Sequence, residues 1–147
     1  MNDVQKIIND FKRTYCNVLV SSHQNSIKLW RAQGDGETMK TYLRTHELKK
    51  MLICYDLWNN GVHFYTELSL KFNILRPDIV AFFHERVVFI EIRDSESDDV
   101  SSSKIARLKE KFPNNNILWY FVGVDDDFNV SEIVKKLFEE RQKELRL

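Results

Sequence analysis

The segment RPDIVAFFHERVVFIEIR, from Arg76 to Arg93, limits what this chain can fold into more than any other stretch. Two runs rich in apolar and β-branched residues, Asp78 to Phe83 and Val87 to Ile92, are divided by the short polar break His84-Glu85-Arg86. That pattern predicts an antiparallel hairpin. Folding it brings Asp78, at the head of the first run, beside Glu91, at the tail of the second. A carboxylate inside a run as apolar as Val87 to Ile92 needs a partner, because burying an isolated charge is costly. Two carboxylates converging at a sheet edge form a ready site for a hard divalent cation such as magnesium.

The elements around the hairpin follow from periodicity. Val4, Ile7, Ile8, Phe11 and Tyr15 recur at helical spacing and predict an N-terminal helix. Val18 to Val20 and Ile27 to Trp30 could pair through the turn Ser22 to Asn25, and Gly34-Asp35-Gly36 then breaks the pattern. A long helix is expected from about Glu37 to Trp58, with Leu48, Met51, Leu52, Tyr55 and Trp58 as its core stripe, ended by Asn59-Asn60-Gly61. From Phe64 to Phe72 residues alternate strictly, which predicts a strand with Glu67 and Lys71 on one face. After the hairpin, an acidic, serine-rich loop (Asp94, Glu96, Asp98, Asp99) leads to a helix carrying Ile105, Leu108 and Phe112 and stopped by Pro113. Ile117 to Val124 is continuously apolar, as an interior strand covered on both sides would be. Asn129 with Glu132 reads as a capping box for a last helix whose Val130, Ile133, Val134, Leu137 and Phe138 face the sheet.

The fold class expected is therefore α/β, a mixed central sheet flanked by helices. All 147 residues form one domain in this reading, with 1–36 as a helix-hairpin addition and 37–147 as the core. A hydrophobic fraction of 43% suffices for a core, and 22 basic against 22 acidic residues leave no bulk field to attract a polyanion. Any basic surface must be local. No run approaches the roughly 18 apolar residues of a membrane span, and the N-terminus lacks the apolar centre of a signal peptide. Cys16 and Cys54 have no ligand spacing and are expected as free thiols in a reducing compartment. An intracellular, soluble, cytoplasmic protein is expected.

The order helix, three strands, helix, strand, together with Asp78 and Glu91 separated by twelve residues, resembles the PD-(D/E)XK or restriction-endonuclease-like nuclease superfamily. The stretch from His46 through Glu67 to Glu91 is also similar to the nuclease-like region of replication-relaxation and other mobile-element proteins. The resemblance spans about two thirds of the chain. It implies an αβββαβ core and Mg²⁺-dependent hydrolysis of phosphodiester bonds in DNA, with Mn²⁺ as the substitute ion. It further implies that Asp78 and Glu91 are metal ligands, with Glu67 as an additional acid. A small nuclease of this kind, encoded by a virus or mobile element, would suit a homodimer that cuts two strands. No organic cofactor and no membrane partner are implied.

One position departs from the family pattern. Arg93 stands where these enzymes usually carry lysine. It retains the charge and can clamp a phosphate, but it cannot act as a base. Lys71, on the Glu67 face of the alternating strand, and Lys104, near the start of the following helix, are the available substitutes. Lys104, Arg107 and Lys111 share a helix face and could follow backbone phosphates.

The same residues have plainer readings. Asp78 can cap a turn, and Glu91 can pair with Arg93 or Lys71 in a structural ion pair without metal. His46 and His63 could edge a cleft or simply pack. Trp30, Trp58 and Trp119 suit the core. Two rival functions follow: a catalytically degenerate DNA-binding member of the same fold, or a protein-interaction module.

Overall fold

A computed structural model describes residues 3–16, 24–27, 46–84, 86–93 and 98–145. Its centre is a four-stranded mixed sheet in the order β1-β2-β3-β4, made of His63–Thr66, Ile79–Phe83, Arg86–Arg93 and Leu118–Gly123. β1, β2 and β3 form an antiparallel meander, and β4 returns parallel to β3. The return needs a crossover, which helix α3, Asp98–Lys111, supplies.

Alternation along the strands sorts side chains into two cores. Ile79, Ala81, Val88, Ile90 and Val122 pack with Ile53, Cys54 and Leu57 of helix α2, Leu48–Asn59, and with Val130 and Ile133 of helix α4, Val130–Leu145. Val80, Phe82, Phe89 and Trp119 face the other way, onto Ile8 and Phe11 of helix α1, Asp3–Tyr15, and Leu108 of α3. Edge-to-face rings join these layers, with Phe11 centred 5.5 Å from Phe82 and 6.0 Å from Phe89. Among the described residues no helix is long and apolar enough to cross a membrane.

Much of the expected order is present: the hairpin, the α1 face, the α3–β4 return and the Asn129 cap, whose Oδ1 accepts from the Ser131 amide at 2.9 Å. The differences are instructive. α2 turns inward the stripe Lys50, Ile53, Cys54 and Leu57, whereas Leu48, Met51, Leu52, Tyr55 and Trp58 are 44–65% exposed. The helix is apolar on both sides, and the side chosen is the one whose lysine finds buried carboxylates. The strand expected to Phe72 stops at Thr66, because Glu67 takes a left-handed φ of 52° and reverses the alternation. Leu68 and Leu70 then join the α1 side, and Lys71–Asn73 forms a 3₁₀ turn with Phe72 exposed.

Three smaller corrections follow. α3 begins at Asp98, so Asp98, Asp99 and the serines 101–103 belong to the helix rather than to a loop. β4 is buried on both faces, as expected, but lies at the sheet edge among the described residues. Val134 and Phe138 of α4 face outward. The expected hairpin at 18–30 and the helix start at 37–45 lie largely outside the described residues. Within 24–27, the Asn25 amide donates to the Phe64 carbonyl at 2.7 Å and the Asn25 side chain accepts from the Phe64 amide at 2.9 Å, so this turn docks on the edge of β1 away from β2. His63 is part of that anchor, with Nδ1 2.7 Å from Gln24 Nε2.

Candidate functional site

Extending the β1–β2–β3 register by one residue beyond Thr66↔Ile79↔Ile90 puts Glu67, Asp78 and Glu91 in one row. The row lies where β2 begins and β3 ends, with Glu91 turned to α3 and Glu67 to α2. Backbone bonds hold it: the Glu67 amide donates to the Asp78 carbonyl at 3.3 Å. Asp78 and Glu91 brace each other reciprocally. The Ile92 amide donates to Asp78 Oδ2 at 2.8 Å, and the Asp78 amide donates to Glu91 Oε1 at 3.3 Å. Each carboxylate is thus fixed by the backbone beside the other.

Two lysines and a histidine compensate the charge. Lys104, from the first half of α3, places Nζ 3.2 Å from Glu91 Oε2. Lys50, fully buried, donates to Glu67 Oε1 at 2.9 Å and lies 3.6 Å from Glu47 Oε2. His46 bridges the two ends of the array, with Nε2 3.3 Å from Asp78 Oδ2 and Nδ1 3.0 Å from Glu47 Oε1. His46 and Glu47 occupy a wide π-type turn that leads into α2, a local irregularity often found at functional sites. Glu47 makes no side-chain cap to the helix, its carboxylate being engaged by His46 and Lys50.

Burial sets the protonation of this array. Glu91 is pushed up to about 8, first by burial and then by the Asp78 carboxylate, with Lys104 opposing both. Burial also raises Glu67, more than the Lys50 ammonium lowers it. Burial alone would lower His46, but the hydrogen bonds and negative charge of Asp78 and Glu47 outweigh it and raise the imidazole above its ordinary value. A proton held on Glu91 is one that a cation could displace.

Of the residues singled out from sequence, Asp78, Glu91, Glu67, Lys104 and His46 come together. Lys71 does not join them, because the 3₁₀ turn sends its Nζ to the Arg13 carbonyl at 2.9 Å. Arg93 shares the Glu91 face and lays its guanidinium over the Phe121 ring at 4.9 Å. Arg107 and Lys111 are exposed, Lys111 with its ammonium 5.6 Å from the centre of the Phe72 ring. Sequence reasoning passed over Glu47 and Lys50. The signal was there: Lys50 is in phase with Ile53, Cys54 and Leu57 at i, i+3, i+4 and i+7, and Glu47 lies three residues before it.

The fit to a metal is sparse. Among the described residues no group of three or more His, Cys, Asp and Glu side chains is arranged to hold an ion. Asp78 and Glu91 remain as a two-carboxylate set, a size that suits magnesium because that ion keeps several of its waters. Cys16 and Cys54 are free, buried and pushed up to about 11 and about 12 by burial, so neither is a nucleophile at neutral pH. Comparison with known families, curated proteins and solved structures finds no match to this chain.

Proposed function

We propose that the chain is a metal-dependent nuclease of PD-(D/E)XK type, hydrolysing phosphodiester bonds in DNA, in which Lys104 takes the role of the missing motif lysine. One observation carries the reading: an ammonium from the crossover helix sits 3.2 Å from Glu91, on the sheet face shared by Glu91 and Arg93. The αβββαβ order and the antiparallel meander with a parallel return support it. Bound magnesium would supply an activated water and relieve charge on the phosphate. Asp78 and Glu91 would hold the ion, with Glu67 as an additional acid. Lys104 would offer its charge to the scissile phosphate. Arg93 would clamp a non-bridging oxygen.

The internal ion pairs favour a second reading. Lys50 and Lys104 already satisfy Glu67 and Glu91, as they would in a degenerate member that binds DNA without cutting it. Labelled duplex, single-stranded and branched DNA, incubated with Mg²⁺ or Mn²⁺, separates the two. The nuclease reading requires cleavage that EDTA and Glu91→Ala abolish, and a loss of about 10²-fold or more in Lys104→Met. Salt-sensitive binding without cleavage would select the degenerate module. Absence of both would leave a protein partner as the remaining function.

A further inference from the structure

We infer that the outer face of α2 is a seam for a second copy of this chain, paired antiparallel about a two-fold axis near residue 53. The inference is independent of the nuclease reading. α2 carries a second apolar stripe opposite its buried one, and an apolar stripe on a helix is normally covered. Its inner stripe is buried, but Leu48, Met51, Leu52, Tyr55 and Trp58 are not. Leu48, Met51, Tyr55 and Trp58 follow the 3-4-3 spacing of a and d positions in a two-helix seam, with Leu52 beside them.

Three features select a second copy as the occupant. First, the seam is self-complementary. Its first half is aliphatic and its second half aromatic, so an antiparallel two-fold sets Leu48 against Trp58 of the partner subunit and Met51 against Tyr55 of the partner subunit. Second, the charges of α2 itself and of Glu47 are engaged away from the seam. Lys49 is turned to the Asp126 carbonyl, Asp56 accepts from the Val130 amide, and Glu47 and Lys50 are buried. Third, the area suffices. Five side chains of about 200 Å² each, about half exposed, give roughly 500 Å² per copy, hence roughly 1,000 Å² in a pair, the lower bound for a specific interface. Pairing of that size is reversible and concentration-dependent.

Sedimentation equilibrium of the full chain, from low-micromolar to sub-millimolar concentration, tests the inference without DNA or metal. The weight-average mass is expected to rise from one chain towards two. Met51→Lys and Tyr55→Glu, both at exposed positions, should each stay at one chain mass with an unchanged circular dichroism spectrum. Mixed together they should pair, because the two-fold sets the new charges opposite each other. Glu91→Ala should pair like the parent. A mass of one chain at every concentration overturns the inference, as does pairing that both α2 substitutions leave intact. Failure of the mixed variants to pair overturns the antiparallel register.

Discussion

Lys50 is the residue on which the candidate site depends most for stability, although no chemistry is assigned to it. A fully buried ammonium between Glu47 and Glu67 is tolerable only because both carboxylates are within reach. Lys50→Met should cost about 3–5 kcal/mol in urea denaturation, since it strands buried negative charge. Adding Glu67→Gln should recover part of the loss; no recovery would mean the two residues are not coupled. Protonation offers a second test. The native chain holds protons on Glu91, Glu67 and His46 that the unfolded chain has released, so stability must fall as pH rises through the window from about 4.3, the free carboxylate value, towards about 8. In EDTA, the melting temperature should drop by a few degrees between pH 5.5 and 8.5, and Glu91→Gln should flatten that slope. A melting temperature that rises over the same interval would contradict the protonated state of the array.

The elements differ in how far they could be read from sequence, and α2 shows why. It carries two apolar stripes, and counting hydrophobic residues favours the one with five over the one with three and a lysine. The fold takes the second because Lys50 finds partners in Glu47 and in Glu67, the latter on a different element, which no local pattern reveals. Ile53→Ala should therefore cost about 2–5 kcal/mol, whereas Leu52→Ala, measured at low protein concentration, should stay within about 0.5 kcal/mol. Equal costs would refute the assigned phase. The β2–β3 hairpin was legible because both runs are β-branched and aromatic and the break between them is short. β1 is shorter than its sequence pattern because one left-handed residue, Glu67, ends a strand whose alternation continues in the sequence. The pairing of Asp78 with Glu91 followed from register alone. Choosing between Lys71 and Lys104 did not, since it required the 3₁₀ turn and the pitch of α3.

At the scale of the whole molecule, equal numbers of acidic and basic residues mean that DNA binding would rest on a few local cations. With Lys104 engaged by Glu91, Arg93, Arg107 and Lys111 remain for the phosphates, so the slope of log affinity against log salt should be shallow, about −3. Lys111→Ala should make it shallower by about one, as read by fluorescence anisotropy, and an unchanged slope would remove α3 from the binding surface. The placement of the carboxylates has one more consequence. Among the described residues β2 and β3 are the strands with a neighbour on each edge, and β2 is buried along its whole length. Their amides should be the last to exchange for deuterium, whereas α2, open on one side, should exchange earlier. Asp78 and Glu91 are rooted at the ends of those slow strands, and His46 and Lys50 at the start of the faster helix. When the molecule breathes, the acidic pair keeps its spacing while its cationic cover loosens.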